Sequence, residues 1–287
     1  MKILIIGGTG SLGRALLKRL YCPENKVWIL SRDELKLITL KKQYPDIRII
    51  IGDIRDRLEM HKVIAGGSFD HIYHCAALKH VDLGEEYTSE FIKTNLNGTM
   101  NVVDAFCRST CSKLAFFSTD KAVLPINAYG YSKGLAEKYI QSLNKPIHIF
   151  RWGNILGSRG SVLHYFIKAL KAGEKINITH QDMTRFWLTI EQAVDFCLDI
   201  MIKNTDPKEI HIPPLKSMSV LDLLDLTAEI LNIEKWDVNI SGIRAGEKIH
   251  ECLYSDHSHC IRSDTYKKYT RDEIKPILEG VINELLE

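Results

Sequence analysis

The sequence lacks long apolar runs and lacks an excess of charge of either sign. Its longest apolar stretches, such as Ile3–Ile6, are far too short to span a bilayer. Lysine and arginine number 38 against 36 acidic residues, which gives a net charge of +2, and the basic residues are scattered. Because no basic stripe is present, nucleic acid is not an expected partner. We therefore expect neither a membrane nor a nucleic acid among the partners.

The cysteines indicate neither a disulfide framework nor a metal site. There are seven, an odd number, and no two have the spacing C-x-x-C, which is typical of free thiols in a reducing cytosol. His257, His259 and Cys260 lie close together, but no second group of ligands completes a zinc site, so a polar loop is favoured. A strand expected from Lys2 onwards leaves no room for a signal peptide. We therefore expect a cytoplasmic protein without a metal.

Internal repeats, low-complexity segments and a Gly/Ser linker are also absent. What the first half does have is an alternation of short apolar segments with segments of helical spacing. The predicted strands are Lys2–Ile6, Lys26–Leu30, Ile47–Ile51, His71–Cys75, Lys113–Phe117 and Ile147–Trp152. The predicted helices are Ser11–Leu20, a segment from Asp33, Arg55–Ile64, Ser89–Cys107 and Tyr129–Leu143. This alternation predicts an α/β fold with a doubly wound parallel sheet.

After Trp152 the pattern becomes irregular, with more loops and shorter strands. The predicted elements are strands at Ile176–Thr179 and Glu209–Ile212 and helices at Ser161–Ala172, Ile190–Ile202, Val220–Leu231 and Arg271–Leu286. A chain of 287 residues is long enough for a main domain with a small partner. We predict a dinucleotide-binding domain at 1–152 and a smaller α/β substrate lobe at 153–287, with a soft boundary and exchange of elements between them.

A glycine-rich turn joins the first predicted strand to the first predicted helix. Gly7, Gly10 and Gly13 have the spacing G-x-x-G-x-x-G. Glycine lets the backbone turn sharply and approach a pyrophosphate, whose charge then meets the amino terminus of the helix. Strand-to-helix turns also use glycine for packing, but the position at the start of an alternating chain favours dinucleotide binding.

Ser31 and Arg32, at the tip of the second strand, bear on which dinucleotide is bound. An acidic residue there would bind the adenosine ribose and favour NAD, whereas a hydroxyl and a guanidinium can hold a 2′-phosphate. We therefore predict NADP; the alternative is that Arg32 is a solvated residue at a helix start beside Asp33. Asp53, after the third strand, either reaches the adenine amino group or caps a helix.

Tyr129 and Lys133 stand four residues apart on a predicted helix and therefore share a face. A tyrosine with an ordinary pKa of about 10 is a poor base at neutral pH. A neighbouring ammonium and a positive nicotinamide ring would lower that pKa, so Tyr129 could accept a proton from a sugar hydroxyl. Just upstream, Asp120 and Lys121 form an acid-base pair that a simple dehydrogenase does not need.

Several motifs together resemble a known family. The glycine turn, the segment HCAALKHV and the Tyr129–Lys133 pair are similar to those of an extended short-chain dehydrogenase/reductase. The chain further resembles the UDP-N-acetylglucosamine 4,6-dehydratases, particularly the inverting kind, in STDKAVLPINAYGYSK, RWGNILGSRGSV, MTRFWLT and RAGEKIHE. The resemblance spans about Lys2 to Leu253. Ala245 stands where the family usually has proline, and the carboxyl-terminal region is shorter than usual, which concerns packing and subunit contacts more than chemistry.

This resemblance implies a cycle of three steps on the sugar: oxidation at C4, elimination of water across C5–C6, and return of the hydride to C6. Lys121 would be the base at C5, Asp120 the acid for the C6 hydroxyl, and Thr119 a hydrogen-bond partner of the C4 oxygen. Lys121 must then be neutral, which burial near Lys133 and the cationic cofactor would favour. Asp120 must be protonated, or the two must share a proton.

Asp120 and Lys121 have an alternative interpretation as an exposed ion pair at the start of a loop. Their position at the carboxyl end of a central strand, where such sheets bind ligands, argues against it. Neighbouring side chains of a strand point to opposite faces. Both can therefore face the site only if the backbone leaves extended geometry by Asp120.

The resemblance also implies a set of cofactor and substrate contacts. The expected cofactor residues are Gly7, Thr9, Gly10, Ser11, Leu12, Gly13, Ser31, Arg32, Asp53, Ile54, Ala76, Ala77, Lys79, Tyr129 and Lys133. The expected substrate residues are Lys79, Asn154, Ser161, Val162, Met183, Thr184, Arg185, Arg244 and Glu247. Arg185 and Arg244 would bind the diphosphate, and Asn154 and the loop 157–162 would close over it and the uridine. Glu247 would accept from a ribose hydroxyl, and Lys79 is equally well explained as a solvated lysine.

The function predicted from the sequence is NADP-dependent 4,6-dehydration of UDP-N-acetylglucosamine with inversion at C5, in a homo-oligomer that is at least a dimer. The product would be UDP-2-acetamido-2,6-dideoxy-β-L-arabino-hexos-4-ulose. A nucleotide-sugar 4-epimerase would need Tyr129 and Lys133 but no acid-base pair. A catalytically silent dinucleotide-binding protein would need the glycine turn alone. Trp152, Phe186 and Trp187 are expected to be core aromatics.

Overall fold

The computed structural model describes residues 1–203, 205–207, 209–256 and 259–287. Its strands are β1 (Lys2–Ile6), β2 (Lys26–Ser31), β3 (Arg48–Ile51), β4 (His71–His74), β5 (Lys113–Thr119), β6 (Ile147–Trp152), β7 (Asn154–Ile155), β8 (Ile176–Ile178), β9 (Thr184–Leu188), β10 (Ile210–His211), β11 (Lys216–Ser219), β12 (Val238–Ile240), β13 (Cys252–Ser255) and β14 (Cys260–Arg262). Its α-helices are α1 (Ser11–Leu20), α2 (Glu34–Gln43), α3 (Arg57–Gly67), α4 (Val81–Glu86), α5 (Thr88–Phe91), α6 (Gly98–Cys107), α7 (Ala128–Gln141), α8 (Val162–Ala172), α9 (Ile190–Ile202), α10 (Val220–Ile230) and α11 (Arg271–Leu286).

A seven-stranded sheet forms the centre of the molecule. Its strand order is β10-β6-β5-β4-β1-β2-β3, and every neighbouring pair is parallel. The predicted doubly wound sheet is therefore confirmed. From β1 the chain first builds the sheet toward β3 and then returns to build it from β4 toward β6. The strand order thus reverses between β1 and β4, and ligands of such sheets bind beyond the carboxyl ends of the strands at this point.

The central strands are apolar without alternation because both faces of the sheet are covered. Ile3 and Ile5 belong to the core on one face, whereas Leu4 and Ile6 belong to the core on the other. A strand buried on both sides needs apolar residues at every position, which explains the run in β1. A third apolar cluster lies in the second lobe, between α8, α10 and α11. Of the expected core aromatics, Trp152 is buried in the first cluster with Phe186, and Trp187 is buried in the third.

One predicted helix is interrupted. The segment predicted at Ser89–Cys107 contains α5, a π-helical stretch at Ile92–Asn97, and α6. Within the stretch, Asn95 Oδ1 accepts from the Leu78 amide at 2.8 Å, and Asn95 Nδ2 donates to the Leu78 carbonyl at 2.9 Å. The π-helical turn places the Asn95 side chain where it can hydrogen-bond the backbone of the loop after β4. The stretch therefore holds that loop beside the carboxyl end of β4.

The second lobe consists of smaller sheets and contributes one strand to the main sheet. Its sheets are β11-β9-β7, β12-β8 and β13-β14. Ile210 and His211 of β10 pair with Ile149 and Phe150 of β6, so a strand from the segment after residue 152 joins the main sheet. In the described part of the chain, no helix has the length and apolar character that a membrane span requires.

Candidate active site

The glycine turn after β1 leaves no room for side chains and so forms a cradle. Gly7 has a φ of +78°, and a Cβ there would lie 2.6 Å from the amide nitrogen of Ala76. A Cβ on Gly13 would lie 2.5 Å from the Cα of Gly8. Gly10 precedes α1 and provides no side-chain cap, so the first amide groups of α1 remain available for an anion. This cradle fits a dinucleotide pyrophosphate.

The predicted adenosine side of the cofactor site lies at the tips of β2 and β3. Thr9 and Ser31 are buried, and their hydroxyl oxygens lie 2.9 Å apart. The Arg32 guanidinium is half exposed and lies 3.6 Å from Asp53 Oδ2, which also pairs with Arg55 at 2.6 Å. Asp53 is the only ion-pair partner of Arg32 among the described residues. Ile54 follows and is buried.

The loop 157–162 lies on the glycine turn. The backbone amide of Arg159 donates to Ser11 Oγ at 3.1 Å, and its guanidinium donates to the carbonyl of Thr9. Lys79, which follows Ala76 and Ala77 after β4, donates to Ser158 Oγ at 3.4 Å. Burial and the Arg159 charge lower the pKa of Lys79. The loop and Lys79 therefore lie beside the glycine turn of the predicted cofactor site. Arg159 is a further candidate for cofactor binding, which sequence reasoning did not single out.

The acid-base pair begins where β5 ends. After Thr119 the backbone turns into a 3₁₀ helix at Asp120–Ala122, so the expected departure from extended geometry is confirmed. Asp120 is 0% exposed. Its Oδ1 accepts from Thr119 Oγ1 and from Lys121 Nζ, each at 3.1 Å, whereas Oδ2 has no hydrogen-bond partner among the described residues. Burial raises the pKa of Asp120, as its predicted role as an acid requires.

Lys121 lies between two carboxylates. Its Nζ is 3.1 Å from Asp120 Oδ1, 3.1 Å from Glu251 Oε1 and 3.3 Å from Asn154 Oδ1. Burial alone would lower the pKa of Lys121, but the charges of Asp120 and Glu251 outweigh it and hold the pKa above the ordinary lysine value. Burial therefore does not lower the pKa of Lys121 as expected, because two carboxylates flank its ammonium.

Tyr129 and Lys133 lie in the first half of α7, whose amino terminus is capped by Asn127. Burial raises the pKa of Tyr129, while the Lys121 charge and the Thr119 hydroxyl lower it. Lys133 is buried, with Nζ 4.0 Å from the centroid of the Phe116 ring, and burial lowers its pKa to about 7. The chain alone therefore does not produce the low Tyr129 pKa expected, and the lysine that acts on Tyr129 is Lys121.

The predicted substrate residues fall into two groups. Arg185 on β9 is buried, and its Nη1 and Nη2 donate to the carbonyls of Thr184, Lys248 and Ile249 and to Met183 Sδ. Thr184 is buried and bonds with Ser263 at 2.7 Å. A direct contact of Arg185 with a diphosphate would have to replace existing bonds. These bonds show that Arg185 holds the segment before β13 in place.

The second group lies in the loop after β12, at the start of α8 and in β7. Arg244 is largely exposed and pairs with Glu247 at 3.1 Å. The turn between them is fixed to α7, because Asn127 Nδ2 donates to the carbonyl of Gly246 at 2.7 Å. Ser161 precedes α8, which begins at Val162. Of these substrate candidates, Arg244 and Glu247 pair with each other, and Asn154 contacts Lys121.

Glu251 is the residue that sequence reasoning missed. It is 2% exposed and follows the motif residues Arg244 to His250 directly. The available signal was its place as the last residue of RAGEKIHE, but no spacing rule connects it to Lys121. Among the described residues no group of three His, Cys, Asp or Glu side chains could hold a metal ion. Of the cluster noted near the carboxyl end, His257 lies outside the described residues.

Comparisons with known proteins agree with this fold. A family model described as polysaccharide biosynthesis protein matches residues 3–273. The chain is 40% identical over 271 residues to a UDP-N-acetylglucosamine 4,6-dehydratase (inverting) of Campylobacter jejuni subsp. jejuni serotype O:2, covering 90% of this chain and 78% of that protein. It is 33% identical over 283 residues to a UDP-glucose 4-epimerase of Rickettsia rickettsii, covering 94% and 82%. The solved structure of Pen from Bacillus thuringiensis has a TM-score of 0.89 and 28% identity, covering 100% and 98%.

The fold, the glycine cradle and the Tyr129–Lys133 pair define an extended short-chain dehydrogenase/reductase. Within that class, the chain belongs to the polysaccharide biosynthesis protein family. The resemblance to the inverting dehydratases is confirmed by 40% identity over most of the chain, which places it with enzymes of the 4,6-dehydratase kind.

Proposed function

We propose that the protein is an NADP-dependent UDP-N-acetylglucosamine 4,6-dehydratase that inverts C5. One observation carries the proposal: Thr119 links the two sets of catalytic groups. Its hydroxyl lowers the pKa of Tyr129 and donates to Asp120 at 3.1 Å, and Lys121 Nζ lies 3.1 Å from Asp120. A proton acceptor for C4 oxidation and an acid-base pair for elimination therefore form one continuous group.

The cofactor would be held by the chain from three sides. The amino terminus of α1 would bind the pyrophosphate, Ser31 and Arg32 would bind the 2′-phosphate, and Lys133 would hold the nicotinamide ribose. NADP, when bound, would supply the hydride acceptor for C4 and the hydride donor for C6. Tyr129 accepts the proton of the C4 hydroxyl, and the Lys121 charge that lowers its pKa assists it.

The Asp120–Lys121 pair carries out the elimination by moving one proton. Before the elimination this proton lies on Lys121, whose Nζ is between Asp120 and Glu251. Transfer to Asp120, whose pKa is raised by burial, gives a neutral amine and a neutral acid. Lys121 then removes the C5 proton while Asp120 protonates the departing C6 hydroxyl, which regenerates the ion pair. The pair thus returns to its starting protonation state after each elimination.

Arg244, Glu247 and Asn154 are proposed to hold the UDP-sugar. Arg244 has a largely exposed guanidinium, as diphosphate binding requires. Asn154 already contacts Lys121 at 3.3 Å and would place the sugar beside the pair. The homo-oligomeric state and the cytoplasmic location stay predictions.

A nucleotide-sugar 4-epimerase is the second candidate, and a relative from Rickettsia rickettsii bears the name UDP-glucose 4-epimerase. The buried Asp120, with one oxygen unpartnered among the described residues, favours the dehydratase, because epimerisation at C4 gives that carboxyl no proton to deliver. Incubation with UDP-N-acetylglucosamine followed by mass spectrometry separates the candidates. Loss of water supports the dehydratase, a new isomer of unchanged mass supports the epimerase, and no change supports a silent binding protein.

The choice of NADP over NAD is expected to depend on Arg32. Replacing it with alanine should weaken NADP binding by about 1–3 kcal/mol, about 5- to 150-fold in Kd, because a charged hydrogen bond to the 2′-phosphate is lost. Binding of NAD should change little. Titration of both nucleotides against Arg32→Ala and the exposed control Arg57→Ala measures this. Equal affinity of the unaltered protein for NADP and NAD would contradict the assignment.

A further inference from the structure

Glu251 is a buried carboxylate surrounded by cations. Its Oε1 lies 3.1 Å from Lys121 Nζ and 3.9 Å from Arg185 Nε, and its Oε2 lies 3.9 Å from Lys248 Nζ. The residue is 2% exposed, and Oε2 has no hydrogen-bond partner among the described residues. A charge in such a place is stable only when opposite charges compensate the loss of solvation. Glu251 is therefore an integral part of the charge balance at Lys121.

The backbone fixes where this carboxylate lies. The amide of Glu251 donates to Ser263 Oγ at 2.9 Å, and the amide of Ser263 donates to the carbonyl of Glu251 at 2.9 Å. Ser263 Oγ in turn bonds with Thr184 on β9 at 2.7 Å. Glu251 is thus held by backbone and hydroxyl bonds that do not involve its own carboxylate. The ammonium of Lys121, on a side chain that can rotate, is the partner that adapts.

Two carboxylates at equal distance compete for Lys121. Asp120 and Glu251 each lie 3.1 Å from its Nζ. With Asp120 alone, Lys121 would form an ion pair only with the residue next to it in sequence. Glu251 attracts the Lys121 ammonium toward the segment before β13. The charge of Glu251 also raises the pKa of both Asp120 and Lys121. Lys121, and after it Arg185 and Lys248, hold the pKa of Glu251 low against the effect of burial.

We infer that Glu251 is a positioning residue for Lys121: it holds the ammonium between two carboxylates and keeps on the pair the proton that Asp120 and Lys121 exchange. This inference rests on the proposed role of Lys121 in elimination. Glu251 contacts the reacting groups through Lys121 and delivers no proton itself. Without its charge, Lys121 would lie against Asp120 and lose its proton more readily.

The test measures the protonation of Lys121 directly and needs no substrate. The protein is acetylated with a trace of acetic anhydride over a range of pH, and the extent of reaction at Lys121 is read by peptide mass spectrometry against exposed Lys168. Because the neutral amine reacts, the midpoint reports the pKa. Glu251→Gln should lower the midpoint by about one pH unit or more, equivalent to about tenfold more neutral amine at a given pH below it. Asp264→Asn, which removes a carboxylate near Ser263 that does not face Lys121, should leave it unchanged.

Two results would overturn the inference. One is a midpoint in Glu251→Gln equal to that of the parent. The other comes from Asp120→Asn, which leaves Glu251 as the carboxylate of Lys121 and serves if the glutamine variant does not fold. In Asp120→Asn, the acetylation midpoint of Lys121 should stay at or above that of exposed Lys168. A midpoint below that of Lys168 would show that Glu251 does not position Lys121.

Activity provides a second readout with a different pattern. In Glu251→Gln, reduction of the nicotinamide by the sugar in a single turnover should persist, while release of water slows and its pH profile shifts to lower pH. Glu251→Asp, which keeps the charge, should recover part of the rate. If the parent releases no water from UDP-N-acetylglucosamine, the proposed function fails, whereas the acetylation result still decides the inference about Glu251.

Discussion

Replacing Tyr129 with phenylalanine is expected to abolish oxidation at C4 while leaving NADP bound. The change removes the phenolic hydroxyl and keeps the ring that packs edge-to-face on Phe91, with centroids 6.4 Å apart. The fold and the cofactor site should therefore persist. Because a positioned proton acceptor contributes about 10²- to 10⁴-fold, the rate of hydride transfer should fall by at least that factor.

The measurement is the absorbance of reduced nicotinamide in a single turnover with UDP-N-acetylglucosamine, alongside titration of NADP. Tyr131→Phe is the matched control, since Tyr131 lies on the same helix with its side chain exposed. It should behave as the parent. Substantial oxidation by Tyr129→Phe would take Tyr129 off the set of catalytic residues, and loss of NADP binding would indicate a structural role instead.

The elements that sequence patterns predicted well have local signals at their ends. The helix Ile190–Ile202 begins and ends as predicted, and its first turn has a capping box between Thr189 and Gln192. The helix Arg271–Leu286 is likewise preceded by Thr270, which forms a capping box with Glu273. These bonds join residues three apart, so the sequence contains all the information needed.

Elements that depend on distant partners were not predicted. The strand Thr184–Leu188 is buried throughout although it contains Arg185, because the carbonyls of Lys248 and Ile249 accept from that guanidinium. No local sequence pattern predicts a buried arginine in a strand. The π-helical stretch around Asn95 has the same origin, since its amide side chain bonds with the backbone of Leu78.

The site shows the same division between local and distant information. Thr119, Asp120 and Lys121 are adjacent in sequence, and their motif indicated the required change of backbone geometry, which the 3₁₀ helix provides. The protonation of Lys121 was predicted in the wrong direction because the charges of Asp120 and of Glu251, which is far along the chain but 3.1 Å from Lys121 Nζ, together raise the pKa of Lys121. A pKa depends on every charge within several ångströms, and sequence reasoning considered Lys133 and the cofactor but not this carboxylate.

Replacing Lys121 with alanine is expected to abolish elimination, while single-turnover hydride transfer from C4 survives at a reduced rate because the Lys121 charge that lowers the Tyr129 pKa is lost. The variant lacks the base at C5 but retains Tyr129 and Lys133. It also leaves Asp120 and Glu251 facing each other without their shared cation, so one carboxyl will take up a proton and the protein will be less stable. Lys121→Met, which keeps most of the apolar stem, should show the same catalytic loss with a smaller effect on stability.

Reduced nicotinamide should accumulate in Lys121→Ala with bound 4-keto sugar, and mass spectrometry should detect no loss of water. The exposed lysine Lys138 on α7 provides the control, and Lys138→Ala should turn over normally. NADP titration verifies that the Lys121 variants are folded. Normal turnover by Lys121→Ala would overturn the assignment of Lys121 as the base.

The stereochemical outcome follows from where the C5 proton returns. Reprotonation from the original face retains the configuration, whereas delivery from the other face gives the L-arabino keto sugar. We expect inversion, which the relative named as an inverting UDP-N-acetylglucosamine 4,6-dehydratase supports. Inversion requires a donor or water on the face opposite Lys121. In D₂O the first product should therefore carry deuterium at C5, with proton couplings that report the L-arabino configuration. A first-formed product of D-xylo configuration would contradict inversion and leave the dehydration itself standing, because loss of water is measured separately.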